Sequence, residues 1–306
     1  MQHTESWVTM ITPFTDDGRI DLAAIPLLVD YYAETCDGIF AVCQSSEMHC
    51  LTLSERETLA RAVIHAANGR VPIVVSGHIS NSLEQQVEEA RRLSDVGAEA
   101  FVLVSNRLAK EDESDDLWID RLDYLINNTT GALGMYECPH PYKRLLSDRT
   151  LDYIARTGRF TFFKDTCCDA AMIEHRLLCI DGTAMRLFNA NSTTLLQSLR
   201  DGASGFSGVM ANFHPELYQW LCHNWFAQPT KANALQGDLA VLSQIEQMGY
   251  PACAKMHLRM LGLPVNAYCR NDAHKRMPSN MPDILSKFRE TELSLCNQLD
   301  IVAKTA

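Results

Sequence analysis

In the run "RFTFFKDTCCD", residues 159–169, a lysine stands at the tip of a segment whose preceding residues are mostly aromatic or β-branched and suit a buried strand. An amine withdrawn from water is harder to protonate, its pKa falling by as much as several units on full burial. A neutral amine is a nucleophile toward a ketone, so Lys164 is a candidate Schiff-base residue, with Phe160, Phe162 and Phe163 expected to limit its hydration. The ordinary reading of a strand-end lysine is a charge paired with its neighbour, here Asp165, or extended to solvent. Tyr136 shifts that balance. It ends the preceding strand segment "ALGMY", and Schiff-base chemistry needs a group that passes protons during carbinolamine dehydration and at the released carbanion. Taken alone, Tyr136 would be a packing residue with its hydroxyl at a rim.

These two residues can meet only if consecutive strands lie side by side. Eight β-rich runs recur along the chain: "WVTMIT" from Trp7, "GIFAVC" from Gly38, "VPIVVSG" from Val71, "AFVLVS" from Ala100, "ALGMYE" from Ala132, "FTFFKD" from Phe160, "MRLFNA" from Met185 and "GFSGVM" from Gly205. Helical patterns separate them. In "SLEQQVEEARRLSDVG", Val87, Ala90, Leu93 and Val96 share a face and Gly97 ends the run; in "LSERETLARAVIHAANG", Ser54 is the expected N-cap. Eight strand–helix units predict an α/β fold of the (β/α)8 TIM barrel type, and no G-x-G-x-x-G follows the first strand to support a dinucleotide-binding sheet. From Pro229 onward the pattern is helical throughout. The expected organisation is a barrel over residues 1–228 and a C-terminal helical extension, residues 229–306, packed on it.

Composition narrows the functions. Of 306 residues 46% are apolar and 21% charged, with a net charge of -11, which offers neither nucleic acid nor an anionic membrane an attractive surface. Eleven cysteines, an odd number without C-x-x-C and histidines at zinc spacing, predict neither a disulfide framework nor a metal knuckle. No signal-like segment opens the chain, and the expected location is cytoplasmic.

In such a barrel the functional mouth lies at the carboxyl ends of the strands. Polar residues collect there: Gln44, Ser45, Ser46 and Glu47 after the second strand, His78 after the third, Ser105, Asn106 and Arg107 after the fourth, Glu137 and His140 after the fifth, Asp165 and Thr166 after the sixth, Asn189, Asn191 and Ser192 after the seventh, Ser207 and Asn212 after the eighth. His78 and His140 read equally as mouth residues or ordinary histidines. Cys167 and Cys168 would be redox-sensitive if Lys164 lowered a thiol pKa, against the commoner reading of small buried hydrophobes. His49 and Cys50 have no third ligand at a recognisable spacing.

The segments "ITPFTDDGRID", "GIFAVCQSSEMHCLTLSERETL", "GMYECP", "FFKDT" and "GASGFSGVMANFHPEL" occur in the order and spacing of the dihydrodipicolinate synthase and N-acetylneuraminate lyase family, the pyruvate-dependent class I aldolases, which the chain resembles. The resemblance implies a Schiff base on Lys164 with pyruvate or a 2-keto acid, Tyr136 as acid and base, Ser45 holding the substrate carboxylate through hydroxyl and amide, and Ser207 touching pyruvate. It also implies a homotetramer with no metal or organic cofactor, a small-molecule substrate, and no nucleic-acid or membrane partner.

The chain departs from that pattern in ways that bear on the substrate. Gln44 stands where a hydroxyl would pass protons to Tyr136, and an amide cannot relay by that route. Pro141 stands where synthases carry an arginine for the aldehyde's carboxylate, with Lys143 and Arg144 nearby, and "VLVSNRLAKED" lacks the tyrosine pair expected after the fourth strand. Asn191 and Ser192 replace the acidic pair of the sialic acid lyases, while Thr166 matches. Neutral hydrogen-bonding groups suit a polyhydroxylated chain, so the expected activity is cleavage of a 2-keto-3-deoxy sugar acid, with Ser46, Asn189, Asn191, Thr166 and Gln44 among the substrate-binding residues. The alternatives are a synthase-like condensation, a sugar-acid dehydratase, or an idle barrel that binds a 2-keto acid.

Overall fold

A computed structural model of the chain describes residues 3–304. Eight parallel strands close into a barrel in chain order: β1 (Glu5–Thr9), β2 (Gly38–Ala41), β3 (Ile73–Val75), β4 (Ala100–Val104), β5 (Leu133–Tyr136), β6 (Phe160–Asp165), β7 (Arg186–Asn189) and β8 (Gly205–Phe206). The last is shorter than the run from Gly205 predicts, because the chain leaves the sheet at Ser207 and a 3₁₀ turn takes up Val209–Asn212. Around the barrel lie α1 (Ile25–Thr35), α2 (Leu53–Ala67), α3 (Leu83–Ser94), the short α4 (Ser105–Leu108), α5 (Asp115–Asn128), α6 (Asp148–Arg156), α7 (Ala170–Ile180), α8 (Leu195–Arg200) and α9 (Pro215–Asn224). The chain continues into α10 (Pro229–Leu242), α11 (Ala252–Met260) and α12 (Met281–Gln298). None of the described helices is long and apolar enough to cross a membrane.

Local chemistry sets the helix starts. The N-cap of α2 is Thr52, a correction to Ser54: the Thr52 hydroxyl accepts from Glu55 N at 3.2 Å and the Glu55 carboxylate accepts from Thr52 N at 2.9 Å. Ser54 also has an acid three residues on, Glu57, but that carboxylate is taken by Arg61 and Arg92, so only the Thr52–Glu55 pair closes the reciprocal capping box.

Aromatic rings fill the barrel interior. Trp7, Phe40, Phe162 and Phe188 meet at centroid separations of 4.8–5.6 Å, and Gly38 leaves the room for Trp7, since a Cβ there would lie 2.4 Å from the indole. On this apolar floor the next inward positions of β5 and β6 are Tyr136 and Lys164. They are direct register partners, aligned by a bulge opposite Leu133 and Gly134 that leaves Thr161 unpaired.

Candidate active site

Strand alternation decides which strand-end groups reach the mouth. Lys164 faces inward, buried to 3% exposure, its Nζ 4.7 Å from the Tyr136 ring centroid and 5.6 Å from that of Phe40. The rings that dry the amine therefore come mainly from neighbouring strands. Phe163 faces the other way, against the Arg176 guanidinium of α7, which corrects its expected role. Asp165 also faces outward and pairs with Arg176, so it does not neutralise Lys164. Among the described residues the Lys164 amine has no ion pair or hydrogen bond, and burial brings its pKa down from 10.5 to about 8.

The Tyr136 hydroxyl donates to Gln44 Oε1 at 3.1 Å, and the Cys138 thiol approaches the same oxygen at 3.2 Å. Burial, with smaller contributions from the Cys138 and Cys43 thiols, pushes the phenol well above its ordinary pKa. Gln44 thus occupies the place next to the phenol, and its amide oxygen accepts the phenol's proton in a hydrogen bond without having a proton of its own to pass on.

The turn after β2 supplies the donors. Ser46 N bonds Cys43 O and Glu47 N bonds Gln44 O, while among the described residues the Gln44 and Ser45 N–H groups have no partner. Successive free N–H groups in a tight turn form an anion-binding concavity. Ser45 Oγ donates to Thr9 Oγ1 at 3.0 Å on the same wall. Glu47, in a left-handed conformation, locks the turn: its carboxylate takes Lys255 Nζ at 2.7 Å and Asn271 N at 3.0 Å, both from the C-terminal segment.

A cavity of about 800 Å³ opens above Lys164. It brings together five of the expected site residues besides the lysine: Gln44, Ser45, Tyr136, Thr166 and Asn191. Thr166 spends its hydroxyl on Glu137 O at 2.7 Å. Asn191 caps Thr194 through Oδ1, and its amide nitrogen makes no bond among the described residues. Three expected residues stand elsewhere. Ser46 turns its hydroxyl back onto Met10 O at 2.6 Å. Asn189 is consumed by Thr194 and Ser198 at 3.0 Å each. Ser207 is buried off the cavity wall, and its hydroxyl has no partner among the described residues.

Other polar strand ends prove structural. His78 accepts from Val104 N and meets Gln86 Oε1, both at 2.9 Å, away from the mouth. Asn106 ties the loop after β5 through the carbonyls of Cys138, His140 and Tyr142. Arg144 binds Asp115 and two carbonyls, whereas Lys143 does line the cavity, its Nζ on Thr166 O at 2.6 Å. His140 sits on the wall beside His49, their rings 5.0 Å apart. The Cys167 thiol is pushed up to about 12 by burial and by Asp165, so Lys164 does not activate it.

Sequence reasoning missed the contribution of the C-terminal segment. Glu246, Gln247, Tyr250, Asn271 and Arg276 all line the cavity. Tyr250 interrupts two helical runs as "MGYPA", the one local signal that sets it apart from a packing residue. Its hydroxyl accepts from Asn212 Nδ2 at 3.1 Å. Glu246 lines the same cavity as Lys164: burial raises its carboxyl and the Lys164 charge opposes this, while Glu246 in turn favours protonated Lys164. Glu246→Gln is therefore expected to lower the Lys164 pKa further. The rate at which the amine is captured by a small carbonyl reagent and borohydride should rise several-fold near neutral pH and stay unchanged at pH 10. A midpoint that moves up, or not at all, would show that the two groups do not sense each other.

Residues 2–278 match the model of the dihydrodipicolinate synthetase family. The chain is 27% identical over 262 residues to the 4-hydroxy-tetrahydrodipicolinate synthase of Exiguobacterium sibiricum, covering 84% of this chain and 88% of that one. Among solved structures, a dihydrodipicolinate synthase from Bacillus anthracis superposes with a TM-score of 0.85 at 20% identity, covering 95% and 99% of the two chains. A prophage protein of that family from E. coli K12, solved in complex with pyruvate, does so with a TM-score of 0.83 at 20% identity, covering 97% and 99%. At this identity the likeness of structures concerns the fold.

Proposed function

The chain belongs to the dihydrodipicolinate synthetase family, and on that premise we propose that it is a Schiff-base-forming class I aldolase that splits a 2-keto acid, of the 2-keto-3-deoxy sugar acid class, into pyruvate and an aldehyde. The observation that carries this reading is the buried, unpaired Lys164 amine beside the Tyr136 phenol. With a pKa near 8, a useful fraction of the amine is free base at neutral pH.

Lys164 Nζ adds to C2 of the keto acid, and the carbinolamine loses water to give an imine. The C3–C4 bond then breaks as the C4 hydroxyl gives up its proton, leaving an aldehyde and an enamine of pyruvate. Protonation at C3 and hydrolysis return pyruvate and the free amine. Tyr136, beside the amine, carries the proton from the C4 hydroxyl to C3. With Gln44 as its neighbour, water in the cavity takes the part a hydroxyl would have had. The unpartnered N–H groups of Gln44 and Ser45 support a role in holding the keto acid's carboxylate.

Asn191, Gln247 and Asn271 put neutral hydrogen-bonding groups on the cavity wall, which supports the hydroxylated substrate. A second reading, condensation of pyruvate with aspartate semialdehyde, is favoured by Lys143 and Arg276, two cations on that wall able to meet a distal carboxylate.

Borohydride with pyruvate is expected to add one reduced pyruvyl group, mapped to the peptide bearing Lys164. An unchanged mass under conditions that trap a known aldolase overturns the Schiff-base reading. A panel of 2-keto-3-deoxy acids is expected to release pyruvate and an aldehyde. Consumption of pyruvate only with aspartate semialdehyde would select the second reading instead.

A further inference from the structure

We propose that Asp148, His175 and Cys179 form a binding site for a zinc-class metal ion that bridges α6 and α7, apart from the cavity. His175 and Cys179 lie four residues apart on α7 and so share one face, and Asp148 opens the neighbouring α6. His175 Nε2 is 3.0 Å from Asp148 Oδ2 and 3.7 Å from Cys179 Sγ, and the three ligand atoms all lie within 4.8 Å of one another. A tetrahedral zinc ion with metal–ligand distances of about 2.0–2.3 Å spaces its ligands about 3.3–3.6 Å apart. The observed separations to the imidazole nitrogen depart from that by only a few tenths of an ångström.

The donor set narrows the ion. One imidazole nitrogen, one thiol and one carboxylate suit zinc or cobalt and disfavour magnesium or calcium, which take oxygen. Water can fill the fourth position. Asp152 lies one turn beyond Asp148 on α6, and its charge acts together with that of Asp148 on the Cys179 thiol, which burial and these two acids hold protonated. Binding replaces that proton: the thiol gives up H⁺ as the Zn–S bond forms, and the imidazole offers Nε2 while keeping its proton on Nδ1. The direct contact between Nε2 and the Asp148 carboxylate gives way to one bond from each to the metal. Without a metal the cluster is an ordinary surface His–Asp pair with a thiol one turn away. The ligands come from two helices, so no linear spacing reveals them.

The site's position gives it a consequence. The residue after His175 is Arg176, which grips Glu137 and Asp165, the outward neighbours of Tyr136 and Lys164. A metal clamp between α6 and α7 would stiffen that anchor without touching the reacting atoms.

The full chain, stripped with chelator, is to be titrated with Co²⁺ and with Zn²⁺. The expected result is one equivalent bound, a thiolate-to-cobalt charge-transfer band with intense visible bands of tetrahedral cobalt, and a raised melting temperature with Zn²⁺. Cys179→Ser should remove the charge-transfer band and His175→Ala should weaken binding at least tenfold. Cys168→Ser, the exposed thiol at the cavity, should leave both unchanged. Catalysis by the stripped chain should persist. Absence of the band in the native chain, or its survival in Cys179→Ser, overturns the proposal whatever the fate of the Schiff-base reading.

Discussion

Lys164→Met is expected to abolish borohydride capture of pyruvate and, at the same time, to make the protein more stable. Methionine keeps the length and apolar stem of the lysine and removes the amine, so the floor of aromatic rings stays covered. The stability gain follows from the position of the amine. In the unfolded chain it titrates at 10.5 and in the folded chain at about 8. Below pH 8 both states carry the proton, and the folded state bears the full cost of a buried, unpaired charge. Between pH 8 and 10.5 the folded amine sheds its proton and the cost fades. The shift corresponds to a gain on the order of 3 kcal/mol for the variant at neutral pH, vanishing above pH 10.5. Thermal melts across pH 6–11, read beside the trapped mass, test both halves. A trapped adduct in the variant would place the nucleophile elsewhere, and a lower melting temperature at pH 7 would mean that Lys164 is not held dry at the expense of folding.

The barrel was legible because each strand–helix unit is written locally. Val87, Ala90 and Leu93 mark the inner face of α3, and the eight β-rich runs match eight strands in order. The pairing of Tyr136 with Lys164 followed from two consecutive strands that both end on a chemically useful side chain. Less of the mouth could be read. Glu137 and Asp165 were grouped with it although strand period alone sends them outward once Tyr136 and Lys164 point in. Ser46 and Asn189 carry the right groups, and only the three-dimensional course of the turn after β2 and of the loop after β7 shows those groups bonded back to the chain. Glu246, Tyr250 and Arg276 were out of reach for a further reason. They enter the site by packing of the C-terminal segment over the barrel, and no period or motif in a helical run records which of its breaks faces a cavity built by strand ends far back in sequence.

That packing also explains why a turn as short as Cys43–Glu47 can hold two N–H groups free. Glu47 is fully paired by Lys255 and by Asn271 N, and Lys255 donates as well to Tyr268 O at 2.9 Å. The turn is therefore braced from outside as well as by its own Ser46–Cys43 and Glu47–Gln44 bonds, and the Gln44 and Ser45 donors stay open to a ligand.

Arg176→Met is expected to cost the protein more stability than removal of any surface charge, because it strands two buried carboxylates. Arg176 donates to Glu137 Oε1 at 2.8 Å and Oε2 at 3.0 Å, to Asp165, and to Leu146 O at 3.1 Å, and all three side chains are buried. Burial already pushes the Glu137 carboxyl up against the opposing pull of Arg176, and the two acids hold the guanidinium above its ordinary pKa. Breaking such a pair from one side typically costs about 3–5 kcal/mol, which for a chain of this length lowers the melting temperature by about 5–8 °C. The pH dependence separates this cause from a simple packing defect. Without Arg176 the Glu137 carboxyl, already raised by burial, titrates higher still in the folded state than in the unfolded one, so the variant's loss of stability grows as pH rises through that folded pKa. The deficit relative to the native chain should therefore shrink between pH 7 and pH 4.5, and Glu137→Gln added to Arg176→Met should recover part of it at pH 7. A deficit that is flat with pH would mean that the guanidinium serves as filler between β5, β6 and α7 and that the two acids behind Tyr136 and Lys164 find protons or water without it.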